Sequence, residues 1–63
     1  MIEFKYDTQL LIEGENLKKE EISKHINKNL KGDCLIVVQV GNLVKIHFHT
    51  NEPWFLLQYC ATV

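Results

Sequence analysis

Positions 2–13 alternate. Ile2, Phe4, Tyr6, Thr8, Leu10 and Ile12 fall on one side of an extended chain, and Glu3, Lys5, Asp7, Gln9, Leu11 and Glu13 on the other. A period of two, rich in aromatic and β-branched residues, predicts a half-buried strand. Gly14 breaks it. Asn16 is placed to cap a helix over 17–30, where Leu17, Ile22, Ile26 and Leu30 recur at near-helical spacing. Gly32 stands where a C-cap glycine belongs. Residues 34–40, Cys-Leu-Ile-Val-Val-Gln-Val, are almost continuously apolar and predict a strand buried on both faces. Gly41-Asn42 marks a hairpin turn. The third strand, 43–50, alternates again, with Val44, Ile46 and Phe48 set against Leu43, Lys45, His47 and His49. Thr50 or Asn51 then caps a second helix with Pro53 in its first turn, where a missing N–H costs little. That helix carries Trp54, Leu57 and Ala61 on one stripe, with Leu56, Cys60 and Val63 beside it.

The element order β-α-β-β-α predicts an α/β chain of the α+β kind, a truncated ferredoxin-like arrangement that lacks its last strand. The expected sheet is three-stranded and mixed, in order 1-3-2. Strands 1 and 3 are expected parallel, and strands 2 and 3 antiparallel. Both helices are expected on the face carrying Phe4, Tyr6, Ile46 and Phe48. Residues 1–63 read as one domain, incomplete at its C-terminus because the pattern stops at Val63 inside the second helix. There is no internal repeat, low-complexity tract or linker.

Sixty-three residues suffice for one small domain. A chain this short buries only about 60% of its unfolded surface, so disulfides, a metal or a partner chain are the usual supplement. Hydrophobic residues at 46% support a core rather than disorder. A formal net charge of −1 offers no electrostatic case for nucleic acid or an acidic membrane. No apolar run approaches the roughly 20 residues of a membrane span, and the N-terminus is not a signal peptide. The expected location is cytoplasmic. There Cys34 and Cys60 read as small buried hydrophobes rather than a disulfide. All seven basic residues are lysine, which fits an AT-rich bacterial genome.

His47 and His49 are two apart on a strand, so both project to one face, the side away from Val44, Ile46 and Phe48. Asp7 and Gln9 belong to the corresponding outward set of the first strand. Neighbouring strands lie about 4.8 Å apart, so the Asp7 carboxylate and two imidazoles can converge on one ion. Two nitrogens and a carboxylate suit zinc or ferrous iron, with an open position for water or substrate. A His-x-His pair on an exposed strand is often just solvated polar surface. Cys34 depends on the turn: a two-residue loop pairs Val40 with Leu43 and sets Cys34 opposite His49, and a longer loop sends it to the core. His25, next to Ile26, reads as surface or boundary packing. Lys45 beside the histidines could attract a phosphate or carboxylate, or simply be solvated.

Three stretches carry a family resemblance: Phe4-Lys5-Tyr6-Asp7-Thr8-Gln9, Gly32-Asp33-Cys34-Leu35-Ile36-Val37-Val38, and Lys45-Ile46-His47-Phe48-His49-Thr50-Asn51-Glu52-Pro53. Together they resemble the middle domain of bacterial fatty acid kinase A, a dihydroxyacetone kinase-like protein also described as a DAK phosphatase. The resemblance implies a preceding nucleotide-binding domain and a following DegV-like domain. It also associates His47 and His49 with a metal site and makes Asp7 the third ligand. The family has a cysteine at the place of Asp7 and a glutamate at the place of Gln9. Carboxylate for thiolate hardens the site toward iron or manganese, and Gln9 removes an acid/base group.

The expected function is a metal-site or regulatory module of a fatty acid kinase-like or dihydroxyacetone kinase-like phosphotransfer system. It would not be a complete enzyme alone, because no Gly-rich phosphate loop or acidic magnesium cluster is present. The expected cofactor is zinc or another divalent transition metal. Expected partners are a second copy of the chain or the kinase domains. The rival reading is a non-catalytic dimerisation or docking domain. An RNA-binding sheet would display aromatics outward, where this chain has Lys5, Asp7, Lys45, His47 and His49.

Overall fold

A computed structural model describes residues 3–63. The elements are β1 (Tyr6–Glu13), α1 (Lys19–Asn29), β2 (Asp33–Val40), β3 (Leu43–Thr50) and α2 (Pro53–Cys60). The first strand starts at Tyr6, with Phe4 in a bend before it, and the Ile2 end of the expected strand lies outside the described residues.

The sheet order is β1-β3-β2, and both pairings are antiparallel. This corrects the expected mixed sheet with strands 1 and 3 parallel. The physical reason lies in the connections. Helix α1 carries the chain back so that β2 runs the same way as β1. The hairpin then reverses it, and β3 enters between the two, opposed to both. Gly41, at φ 57°, gives the two-residue hairpin loop its positive φ, and Val40 pairs with Leu43 across it.

Val44, Ile46, Phe48 and Thr50 of β3 are buried on one face. They join Ile22 and Ile26 of α1 and Leu56 of α2 in a single core, flanked by Leu10, Ile12, Leu35 and Val37. At about 25 cal/mol per Å² of apolar area, each such side chain contributes about 1.5–3 kcal/mol. The outer strands are less covered. β2 is not buried on both faces as its apolar run predicts: it is an edge strand, with Ile36, Val38 and Val40 exposed on the side away from the core. On α2 the buried residue is Leu56, with Pro53 and Cys60 partly covered, while Trp54, Leu57 and Ala61 face out.

Several local expectations also change. Asn16 does not cap α1. It sits in the preceding turn at φ 64°, and Lys18 flanks the helix without a side-chain cap. The cap comes from β2 instead. Gln39 Oε1 accepts from the Lys19 N–H at 3.0 Å, and Gln39 Nε2 donates to the carbonyls of Leu17 at 2.6 Å and Gly41 at 3.2 Å. Helix α2 follows Glu52 rather than a Thr50 or Asn51 cap. The Thr50 hydroxyl donates to the Lys31 carbonyl at 2.7 Å and accepts from the Glu52 N–H at 3.1 Å, which knits the two loops at that end of the sheet.

Gly32 is not a left-handed C-cap either, because α1 ends at Asn29 and Leu30 in extended backbone. Its role is close approach. A Cβ there would fall on the His49 carbonyl oxygen and 2.5 Å from Phe48 Cζ. His25 lies at the boundary and stacks on Tyr59 of α2, with centroids 3.8 Å apart and planes 8° from parallel.

Candidate functional site

The face of the sheet away from the core is organised in rows set by register. Asp7, His49 and Asp33 form one row, and Gln9, His47 and Ile36 the next. Leu11, Lys45 and Val38 follow, and Glu13, Leu43 and Val40 close the far end. Polar, ligand-type side chains therefore gather at the α2 end of β3, and apolar ones at the hairpin end.

The structure brings the three sequence-predicted site residues together. Asp7 Oδ1 lies 3.4 Å from His47 Nε2 and 3.4 Å from His49 Nε2, and the two Nε2 atoms are 3.1 Å apart. Around an ion with donors at about 2.0 Å, tetrahedral neighbours sit roughly 3.3 Å apart. The three donors hold that spacing. Both histidines are partly buried and Asp7 is exposed, so the cluster opens to solvent. A depression lined by Gln9, Ile36, Val38, Lys45 and His47 adjoins them.

Why these rings are held is a matter of strands. His47 and His49 flank the fully buried Phe48, whose burial fixes the pleat and so the direction of both imidazoles. Asp7 comes from the neighbouring strand, directly opposite His49.

Sequence reasoning missed Asp33. The hairpin is the two-residue loop, yet a register shift between Asp33 and Ile36 sets Asp33, not Cys34, opposite His49. Asp33 Oδ1 reaches to 3.7 Å from His49 Nδ1, on the far side of the ring from Asp7. Cys34 is exposed rather than buried, and Cys60 is half-buried. The Cys34 thiol is pushed above its ordinary range, first by desolvation among its neighbours, then by the charge and hydrogen bond of Asp33 and by the charge of Asp7. The only sign of the shift in the sequence is the Gly32-Asp33 entry to an otherwise apolar strand.

Fold and site together define a small α+β module that presents two imidazoles and two carboxylates on an open sheet face. The family of FakA-like (fatty acid kinase A-like) middle domains matches residues 3–63, and the chain belongs to that family. No curated protein and no solved structure matches the chain. No helix among the described residues is long and apolar enough to cross a membrane.

Proposed function

We propose that this chain is the metal-site module of a fatty acid kinase-like phosphotransfer system and works with a separate nucleotide-binding domain. The observation that carries the reading is the mutual spacing of Asp7 Oδ1, His47 Nε2 and His49 Nε2, all between 3.1 and 3.4 Å. One carboxylate and two neutral imidazoles suit zinc or another divalent transition metal. Asp7 as the anionic donor favours harder ions than a thiolate would. Asp33, facing His49 Nδ1, is placed as the outer partner that fixes a ligating imidazole's tautomer. Bound there, such an ion would offer one position to an anionic group, with Lys45 in the adjoining depression to favour negative charge. The proposed setting is the cytoplasm.

The test is metal content of the chain purified without added metal, followed by calorimetric titration with zinc, iron(II) and manganese. Wild type should retain or take up one ion. Asp7→Ala should bind at least about tenfold more weakly, roughly 1.4 kcal/mol, and His47→Ala should lose the site. Wild type that neither carries nor takes up any of these ions sinks the proposal.

A docking role is the second reading, and one observation favours it. Leu11, Ile36, Val38, Val40 and Leu43 are exposed at the hairpin end of the open face, Val40 at 74%. A second copy stacked on that face, or a neighbouring kinase domain, would cover them. Sedimentation at tens of micromolar should show association of the isolated chain. A folded monomer at that concentration excludes the second copy.

A further inference from the structure

Next to the first donor cluster lies another that shares one residue with it. Asp33, Cys34 and His49 bring a carboxylate oxygen, a thiol sulfur and an imidazole nitrogen within 4.8 Å of one another. In a regular strand residues 33 and 34 would point to opposite faces. The register shift between Asp33 and Ile36 removes that constraint, and Cys34 takes φ 54°, in the left-handed region. The bulge thus turns two consecutive donors toward one imidazole, a re-aiming that bulges perform beside functional sites. Nothing in the packing requires the cysteine there: it is exposed and free.

We propose that Asp33, Cys34 and Nδ1 of His49 form a second metal site for a thiophilic divalent cation of the cadmium class, filled in competition with the first. The competition comes from His49. A neutral imidazole has one lone pair and one N–H on its two ring nitrogens. When Nε2 gives its lone pair to an ion held with Asp7 and His47, Nδ1 keeps the proton and faces Asp33. When Nδ1 gives the lone pair, Nε2 keeps the proton and faces Asp7 Oδ1, 3.4 Å away. One neutral ring serves one ion at a time. Softness sorts the ions: the sulfur draws cadmium, and the two-imidazole, one-carboxylate set draws zinc and harder ions. Binding at the sulfur forms a metal–thiolate bond and releases the thiol proton to solvent.

The experiment titrates the chain with cadmium and, separately, with cobalt(II), following the thiolate-to-metal charge-transfer absorbance, with circular dichroism to show that each variant is folded. Wild type should develop the cadmium–thiolate band and saturate at one ion per chain. His47→Ala should keep the band, and Cys34→Ser should lose it. Cys34→Ser should still bind one cobalt ion without a thiolate band. A wild type with no band, a band surviving in Cys34→Ser, or saturation at two ions overturns the proposal. So does loss of the band in His47→Ala, which would make Cys34 a fourth ligand of the first site. Failure of the first site alone reads differently: Cys34→Ser would then bind no cobalt while His47→Ala kept its band.

Discussion

Replacing Gly32 by alanine tests the packing under the histidines more directly than replacing any ligand. The added Cβ would meet the His49 carbonyl oxygen below contact distance, Phe48 Cζ at 2.5 Å and Phe48 Cε2 at 2.8 Å. Ordinary contacts begin near 3.4 Å, so on the order of 1 Å must open. Phe48 is fully buried in the core and cannot swing aside, and the other atom is backbone of β3. Overpacking of this kind costs about 1–3 kcal/mol and occasionally more. Against it stands the reduced entropy of the unfolded chain, which favours alanine by about 0.4–1 kcal/mol. The steric term wins, leaving a net loss of roughly 1–2 kcal/mol. A domain of this size has only about 3–5 kcal/mol in hand. Urea unfolding followed by circular dichroism should show the midpoint falling by about 1–2 M, given a slope near 1 kcal/mol per molar. A midpoint within experimental error of wild type would refute the close-approach role of Gly32.

Thr8 faces Phe48 across the β1–β3 pairing, and its buried hydroxyl has no hydrogen-bond partner among the described residues. Thr8→Val keeps the shape and the β-branching, so it should stabilise by about 1 kcal/mol and raise Tm by about 4–8 °C; an unchanged or lower melting temperature counts against it. Gln39→Ala removes the side chain that caps α1 and ties Leu17 and Gly41, and should cost about 1–2 kcal/mol in chemical unfolding; a loss below about 0.5 kcal/mol, on the scale of a plain surface substitution, would show the cap to be idle. Burial pushes the Cys60 thiol above its ordinary value of 9.0. The folded chain therefore holds the proton longer than the unfolded one, and that stabilisation is intact below about pH 9 and lost as pH rises through the raised pKa. Unfolding free energy measured from about pH 8 to 10.5 should fall more steeply for wild type than for Cys60→Ala, and parallel curves would contradict this.

The elements were legible because each has a period of its own. Alternation marks β1 and β3, near-helical spacing of Ile22 and Ile26 marks α1, Pro53 marks the start of α2, and Gly41-Asn42 marks the hairpin. Parity alone put His47, His49 and Asp7 on one side of the sheet, and that is where they meet. What periodicity does not carry is anything that depends on two elements at once. The sense of β1 against β3 follows from where the hairpin re-enters the sheet, not from any residue in either strand. Exposure of Ile36, Val38 and Val40 follows from β2 being an edge, which its composition conceals. The N-terminal turn of α1 is capped from a strand 20 residues away in sequence, by Gln39 rather than by Asn16.

The bulge at the start of β2 is the feature on which the second site turns, and its cause can be traced through packing. Gly32 must lie against the His49 carbonyl and the Phe48 ring, which draws the entry of β2 close to the end of β3. Thr50 holds the same corner through the Lys31 carbonyl. Between these fixed points at the strand entry and the hairpin at Val40 and Leu43, regular pairing would set residue 34 opposite His49. The observed partner is Asp33, so the chain spans the gap with one extra residue, and Cys34 absorbs it at φ 54°. A left-handed cysteine costs of order 1 kcal/mol or more, which glycine or asparagine would largely avoid. The sequence has cysteine there, and the strain aims a carboxylate and a thiol at one imidazole. Cys34→Gly therefore separates the two contributions: it should stabilise the chain while abolishing thiolate binding of cadmium. If the variant is less stable than wild type, the left-handed conformation is not the strain it is taken to be.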